Sequence, residues 1–86
     1  MEYRYRPDVL EQLLLHGIRP TAATPPALVY DFVNDLYRYE LRRLRAALVD
    51  GAIPKAGYFG RVVELRRKYP LVSIKPHLWI EQAEGL

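Results

Sequence analysis

Arginine and tyrosine are the residues of this 86-residue chain whose types and spacing lend themselves most directly to chemistry. Arg38, Arg42, Arg43 and Arg45 form one cluster; Arg61, Arg66, Arg67 and Lys68 form another. Cations at that density can hold phosphates, and neighbouring tyrosine rings can stack on bases. A polyanion surface of this kind would use Arg38, Arg42, Arg45, Arg61 and Arg67. Internal pairing would explain the same residues. In a tight antiparallel hairpin Arg66 and Arg67 return beside Asp31 and Asp35, while Glu40 and Glu64 serve the nearby arginines. No base-reading motif accompanies the basic excess.

Catalytic chemistry has little to work with. His16 and His77 are the two histidines and Ser73 is the single serine. His16 falls at a helix C-terminus, where the dipole favours positive charge, so its presence has a structural reason. Neither histidine stands at ligand spacing from a carboxylate or from the other, and no glycine-rich phosphate loop occurs. The chain has no cysteine, which removes disulfides, thiolate ligands and a catalytic thiol. The expectation is a non-enzyme with no cofactor, no metal and no small-molecule substrate.

The seven tyrosines divide by position. Tyr30, Tyr37, Tyr58 and Tyr69 suit a helix interface with their hydroxyls at its rim. Tyr39 lies off that interface beside the arginines, and Tyr3 and Tyr5 lie in an N-terminal arm. Tyrosine and arginine are enriched where proteins bind proteins.

These residues hang on one long element. Between Thr24 and Gly51 more than twenty residues run without glycine or proline after Pro25 and Pro26. Thr24 is placed to cap such a helix, the prolines to start it, and Gly51 to end it. Val29, Phe32, Val33 and Leu36 make one apolar stripe; Tyr30, Val33, Tyr37, Leu41, Leu44 and Leu48 make a second. The resulting arc is wide enough for packing on two sides. Before it, Asp8 and Glu11 stand at capping-box spacing ahead of a short helix over 8–16, which Gly17 and Ile18 close as a Schellman motif. After it, Pro54 opens a third helix over 54–69, weakened by Gly57 and Gly60 unless those glycines let its backbone lie close against the long helix.

The tail over 70–86 reads as extended at Leu71–Lys75, able to pair with the arm over 1–7, and then as a helical turn or two that docks Leu78, Trp79 and Ile80. The turn at 50–53 has the length of a helix-turn-helix, but the preceding helix is too long for that module and the glycines fall where a reader helix should be firm. Gly57-Tyr58-Phe59-Gly60 matches the spacing of a KH loop without the sheet that loop requires.

Size and charge complete the expectation. The fold is one all-α domain over 1–86: a short helix, a long central helix and a third helix hairpinned onto it. No apolar run approaches a membrane span and Met1-Glu2-Tyr3-Arg4 begins no signal peptide, so a soluble cytoplasmic protein is expected. Residues 36–68 hold nine basic groups against three acidic ones, so the middle of the chain carries the net charge of +3 and more. Two short helices cannot cover the length of the central one. The functional expectation is therefore an interaction module or accessory subunit. Its partner would be another protein or a second copy, bound through Tyr37, Tyr39, Arg42 and Arg45 with Trp79 as an anchor. Nucleic-acid binding is the alternative.

Overall fold

The computed structural model describes residues 2–81 and shows three α-helices, α1 (Pro7–Leu15), α2 (Pro26–Val49) and α3 (Lys55–Lys68), followed by two 3-10 turns at Pro70–Ser73 and Pro76–Leu78. The all-α expectation holds: among the described residues the sole β pairing is an isolated antiparallel bridge between Tyr5 and Ile80.

Prolines set the helix starts, Gly17 and Gly51 stop α1 and α2, and Pro70 follows the end of α3. Arg6, Pro25 and Pro54 precede the three helices in extended conformation, and none gives a side-chain cap. The capping expectations are therefore corrected. Asp8 turns back to Arg6 in a paired contact at 2.8 Å, and the Thr24 hydroxyl accepts from the Thr21 N–H at 3.0 Å. A proline at the first or second helical position supplies a pre-set φ and has no N–H to satisfy, which lessens the need for a cap in α1 and α2. Gly17 and Gly51 sit at φ +74° and +78°, and each ends its helix in a Schellman motif. Ile18 donates to the Leu13 carbonyl at 3.0 Å, and Ala52 to Ala47 at 2.9 Å.

The core gathers at one end of α2. Val29 and Val33 of α2 bury against Val9 and Leu13 of α1, Tyr5 of the arm, and Tyr69, Leu71 and Trp79 of the tail. Trp79 is fully enclosed, and its indole N–H donates to the Ile74 carbonyl at 3.0 Å. Leu71–Lys75 is not a strand; Pro70 and Pro76 bend it into 3-10 turns, so the arm pairs further along, with Arg6 donating to Trp79 and Glu81 to Arg4. The expected helical turn after Pro76 is present for three residues and stops at Leu78, because Ile80 pairs with Tyr5; residues 82–86 lie outside the described residues. Phe32 departs from its expected core role, being 54% exposed. The buried face of α2 is centred on Val33, and one residue of helix turns Phe32 about 100° away from it.

The other end of α2 has only α3 beside it. No residue of α3 is buried. The radius of gyration is 15.9 Å, against about 12 Å for a compact chain of this length, and the long axis reaches 55 Å. A closed core at one end therefore carries a two-helix arm at the other.

Candidate interaction surface

Where the arm leaves the core, five side chains lock the ends of α1 and α3 onto α2. The Tyr69 hydroxyl donates to Glu40 Oε2, and Lys68 Nζ reaches Glu40 Oε1 at 3.2 Å. The His16 ring stacks on Tyr69 with centroids 4.5 Å apart, and its Nε2 lies 3.1 Å from the Lys68 carbonyl oxygen. That carbonyl can only accept, so Nε2 carries the proton in this contact. Tyr37 closes the group with its ring tilted against Tyr69. Burial and the Glu40 carboxylate together push the Tyr69 hydroxyl up to about 12. Burial alone would raise Glu40, but the hydrogen bonds from Tyr69 and Lys68 and the Lys68 charge outweigh it and hold the carboxyl below its ordinary value. A phenol held protonated and a carboxylate held charged make a structural clasp, not a proton-transfer pair. Ser73 and His77 are exposed and share no hydrogen bond among the described residues, so the tail does not bring them into a nucleophile–base pair.

Beyond the clasp, α2 and α3 run antiparallel with an open groove along one side. It measures about 390 Å³ and is floored by Leu44, Ala47, Ile53 and Leu65. Its rims carry both signs: Glu40 and Arg43 from α2, Arg61, Glu64 and Lys68 from α3. The Glu40–Lys68 pair across the groove fixes the register. This register overturns the expected pairing of Arg66 and Arg67 with Asp31 and Asp35. The C-terminal end of α3 reaches only Glu40, and Asp35 lies five residues further along α2, about 7 Å away. Glu40 serves Lys68, not an arginine. Among the described residues the ion pairs are Arg4–Glu81, Arg6–Asp8 and Lys68–Glu40. Arg38, Arg42, Arg43, Arg45, Arg61, Arg66 and Arg67 take part in none of them, and all are exposed.

The residues singled out from sequence fare unequally. Tyr39 is 54% exposed, with the Arg43 guanidinium 6.0 Å from its ring centre. Arg42 and Arg45 are exposed on α2. Tyr37 is half-buried and committed to the clasp. Trp79 cannot anchor a partner, because no part of it meets solvent; it is the largest side chain in the core. The arginines do not form one patch either. Helical periodicity sets Arg38, Arg42 and Arg45, at intervals of four and three, on one face of α2, while Arg61 lies in the groove on the opposite side.

Sequence reasoning passed over Val49, 78% exposed, gave Phe59, 75% exposed, no role at a surface, and named Arg43 and Glu64 without placing them on one groove rim. The hairpin register, counted outward from Pro54, is the signal that would have found Glu40 opposite Lys68. The glycines Gly57 and Gly60 do not mark a close approach of helices: a Cβ built on either meets nothing within 4 Å. No protein-family model matches the chain, and no curated protein or solved structure matches it significantly.

Proposed function

We propose that this protein is a non-enzymatic interaction module whose working surface is the α2–α3 arm. The observation that supports it most is that α3 contributes no buried residue to its own chain. Tyr58, Val62, Val63 and Leu65 of α3, with Leu41, Leu44 and Leu48 of α2, are each only partly covered. Phe59 and Val49 stand outside the seam altogether. Two helices lying side by side can shield one line of contact and leave grooves on both sides, and association with a third or fourth helix closes them. Arg43, Tyr39 and Phe59 around those grooves are residue types that dominate protein–protein binding energy. A chain without cysteine suits a reducing compartment, and we place the module in the cytoplasm.

Site-specific photocrosslinking in the native cell tests the proposal. A photoreactive residue at Phe59 or Tyr39 is expected to capture one defined protein, and the same residue at exposed Glu11 of α1 none. Capture from all three positions alike, or from none, would refute it.

The free arginines favour a second reading, binding of nucleic acid or another polyanion. Arg38 and Arg45 share one face of α2 with no acidic partner among the described residues, which is the charge distribution phosphate binding uses. Binding to generic DNA and RNA between 50 and 200 mM salt, on the order of a 10³-fold loss across that range for six phosphate contacts, is the expected signature. A flat salt response removes this reading.

A further inference from the structure

We infer that the partner of α2 is a second copy of this chain, packed antiparallel along the stripe Leu28, Phe32, Asp35, Tyr39, Arg43 and Ala46. The inference rests on the interaction-module reading and names the partner for it. These residues follow one another at intervals of three and four, so they lie along one flank of the helix. All six are exposed, and Leu28, Phe32 and Tyr39 are more than half so. The flank is the one that carries Arg43 into the mixed-charge groove.

A twofold interface brings a patch against itself, so a patch of one sign cannot form it. This flank is self-complementary. With the twofold axis at Tyr39, a residue n positions before Tyr39 faces the residue n positions after it on the other copy. Asp35 then meets Arg43 of the second copy, and Phe32 meets its Ala46, a large side chain against a small one, while Leu28 and Asp50, eleven positions from the axis, lie at the ends of the contact. The two Tyr39 rings meet on the axis, each with its own Arg43 beside it. Asp35 and Arg43 have no ion-pair partner within their own chain among the described residues. The opposite edge of α2, with Arg38 and Arg45, would repel its own copy and remains outside the interface.

The surface area agrees. The chain exposes 6642 Å², whereas a compact monomer of 10.0 kDa exposes about 5,200 Å². Half of that excess is already close to the roughly 800 Å² that one partner contributes to a standard interface.

Sedimentation velocity on the full chain over a concentration series tests the proposal, together with single cysteines, which a cysteine-free chain reports cleanly. The wild type is expected to dimerise. Arg43→Glu and Asp35→Arg should each raise the dimer dissociation constant by about tenfold or more, and the double exchange Asp35→Arg/Arg43→Glu should recover most of the loss. Tyr39→Cys should form a disulfide-linked dimer under mild oxidation, and Arg45→Cys on the other edge should not. Circular dichroism of each variant separates unfolding from loss of association. A folded wild type that stays monomeric throughout overturns the dimer. So do cross-linking through Arg45→Cys alone, or a double exchange no better than the single ones. None of these touches the broader reading, which fails if the photocrosslinking positions on the arm capture nothing, including a second copy, or if the Glu11 control captures alike.

Discussion

Replacing Tyr69 by phenylalanine deletes one oxygen from the clasp and leaves the ring that stacks on His16 and Tyr37. A hydrogen bond to a charged group contributes about 1.5–3 kcal/mol. Glu40 keeps a 32% exposed side chain and its bond to Lys68, so water can replace the lost donor. The expected cost near pH 8 is therefore at the lower end, about 1.5 kcal/mol. The pH dependence makes the prediction specific. In the fold Tyr69 keeps its proton to about 12; in the unfolded chain it loses it near 10. Between those values the folded state holds the extra proton, so the stability this group contributes is complete below pH 10 and declines as pH rises.

By pH 11 the decline is about 1.4 kcal/mol, and about 2.7 kcal/mol once pH passes 12. Tyr69→Phe has no such proton to hold. Urea unfolding followed by far-UV circular dichroism at pH 8 and pH 11 should therefore show the two proteins converging, with most of the gap at pH 8 gone at pH 11. Glu40→Gln should bring the alkaline loss of Tyr69 stability back toward pH 10, because the carboxylate that opposes phenolate formation is absent. On the acid side the sign reverses. Glu40 is held below its ordinary value, so its contribution is present above about 4.5 and lost as pH falls further. A gap between wild type and Tyr69→Phe that stays constant from pH 8 to pH 11 would refute the clasp as described.

Trp79→Ala should destabilise by about 3–5 kcal/mol, measured by the same urea titration, since it empties the centre of the core. Gly57→Ala and Gly60→Ala should each raise stability by about 0.5–1 kcal/mol, because the added methyl meets open space and the helix gains propensity. Gly51→Ala should lower the thermal midpoint, because φ +78° strains any residue with a Cβ. Arg38→Glu/Arg45→Glu should leave dimerisation unchanged in sedimentation. If polyanion binding occurs, the same pair should reduce its log–log salt slope by about two.

Much of the architecture was legible in the sequence because punctuation there is strong. Pro7, Pro26 and Pro54 with Gly17 and Gly51 bound the first two helices and the start of the third to within two residues. What could not be read was tertiary. LVSIK has a strand's composition, but flanking prolines and the docking of Leu71 under Tyr69 make it a 3-10 turn. Trp79 looked available in a tail of unknown course, and the tail turned out to close the core. Phe32 and Val29 share apolar character and neighbouring positions; only the placement of α1 and the tail decides which of them is buried. Of the candidate surface, Tyr39, Arg42 and Arg45 were visible as residues left over from the apolar arc. The groove was not, because it depends on the α2–α3 register.

The two ends of α2 explain each other. The arm, α1 and the tail all converge on Val29 and Val33, so every element capable of covering the long helix is used at one end. An 86-residue chain that closed both ends would need roughly another helix, and this one spends its remaining length on α3, which reaches back only to Glu40. A monomer could shorten α2 at that point and lose little of its core. The distal turns are nonetheless apolar on the seam and charged in both signs along the groove. A helix that had only to stay in solution would have no need of Phe59, Val49 or Tyr39 exposed beside arginines that form no ion pair among the described residues. On the interaction-module proposal, the missing cover for this half of the helix comes from outside the chain.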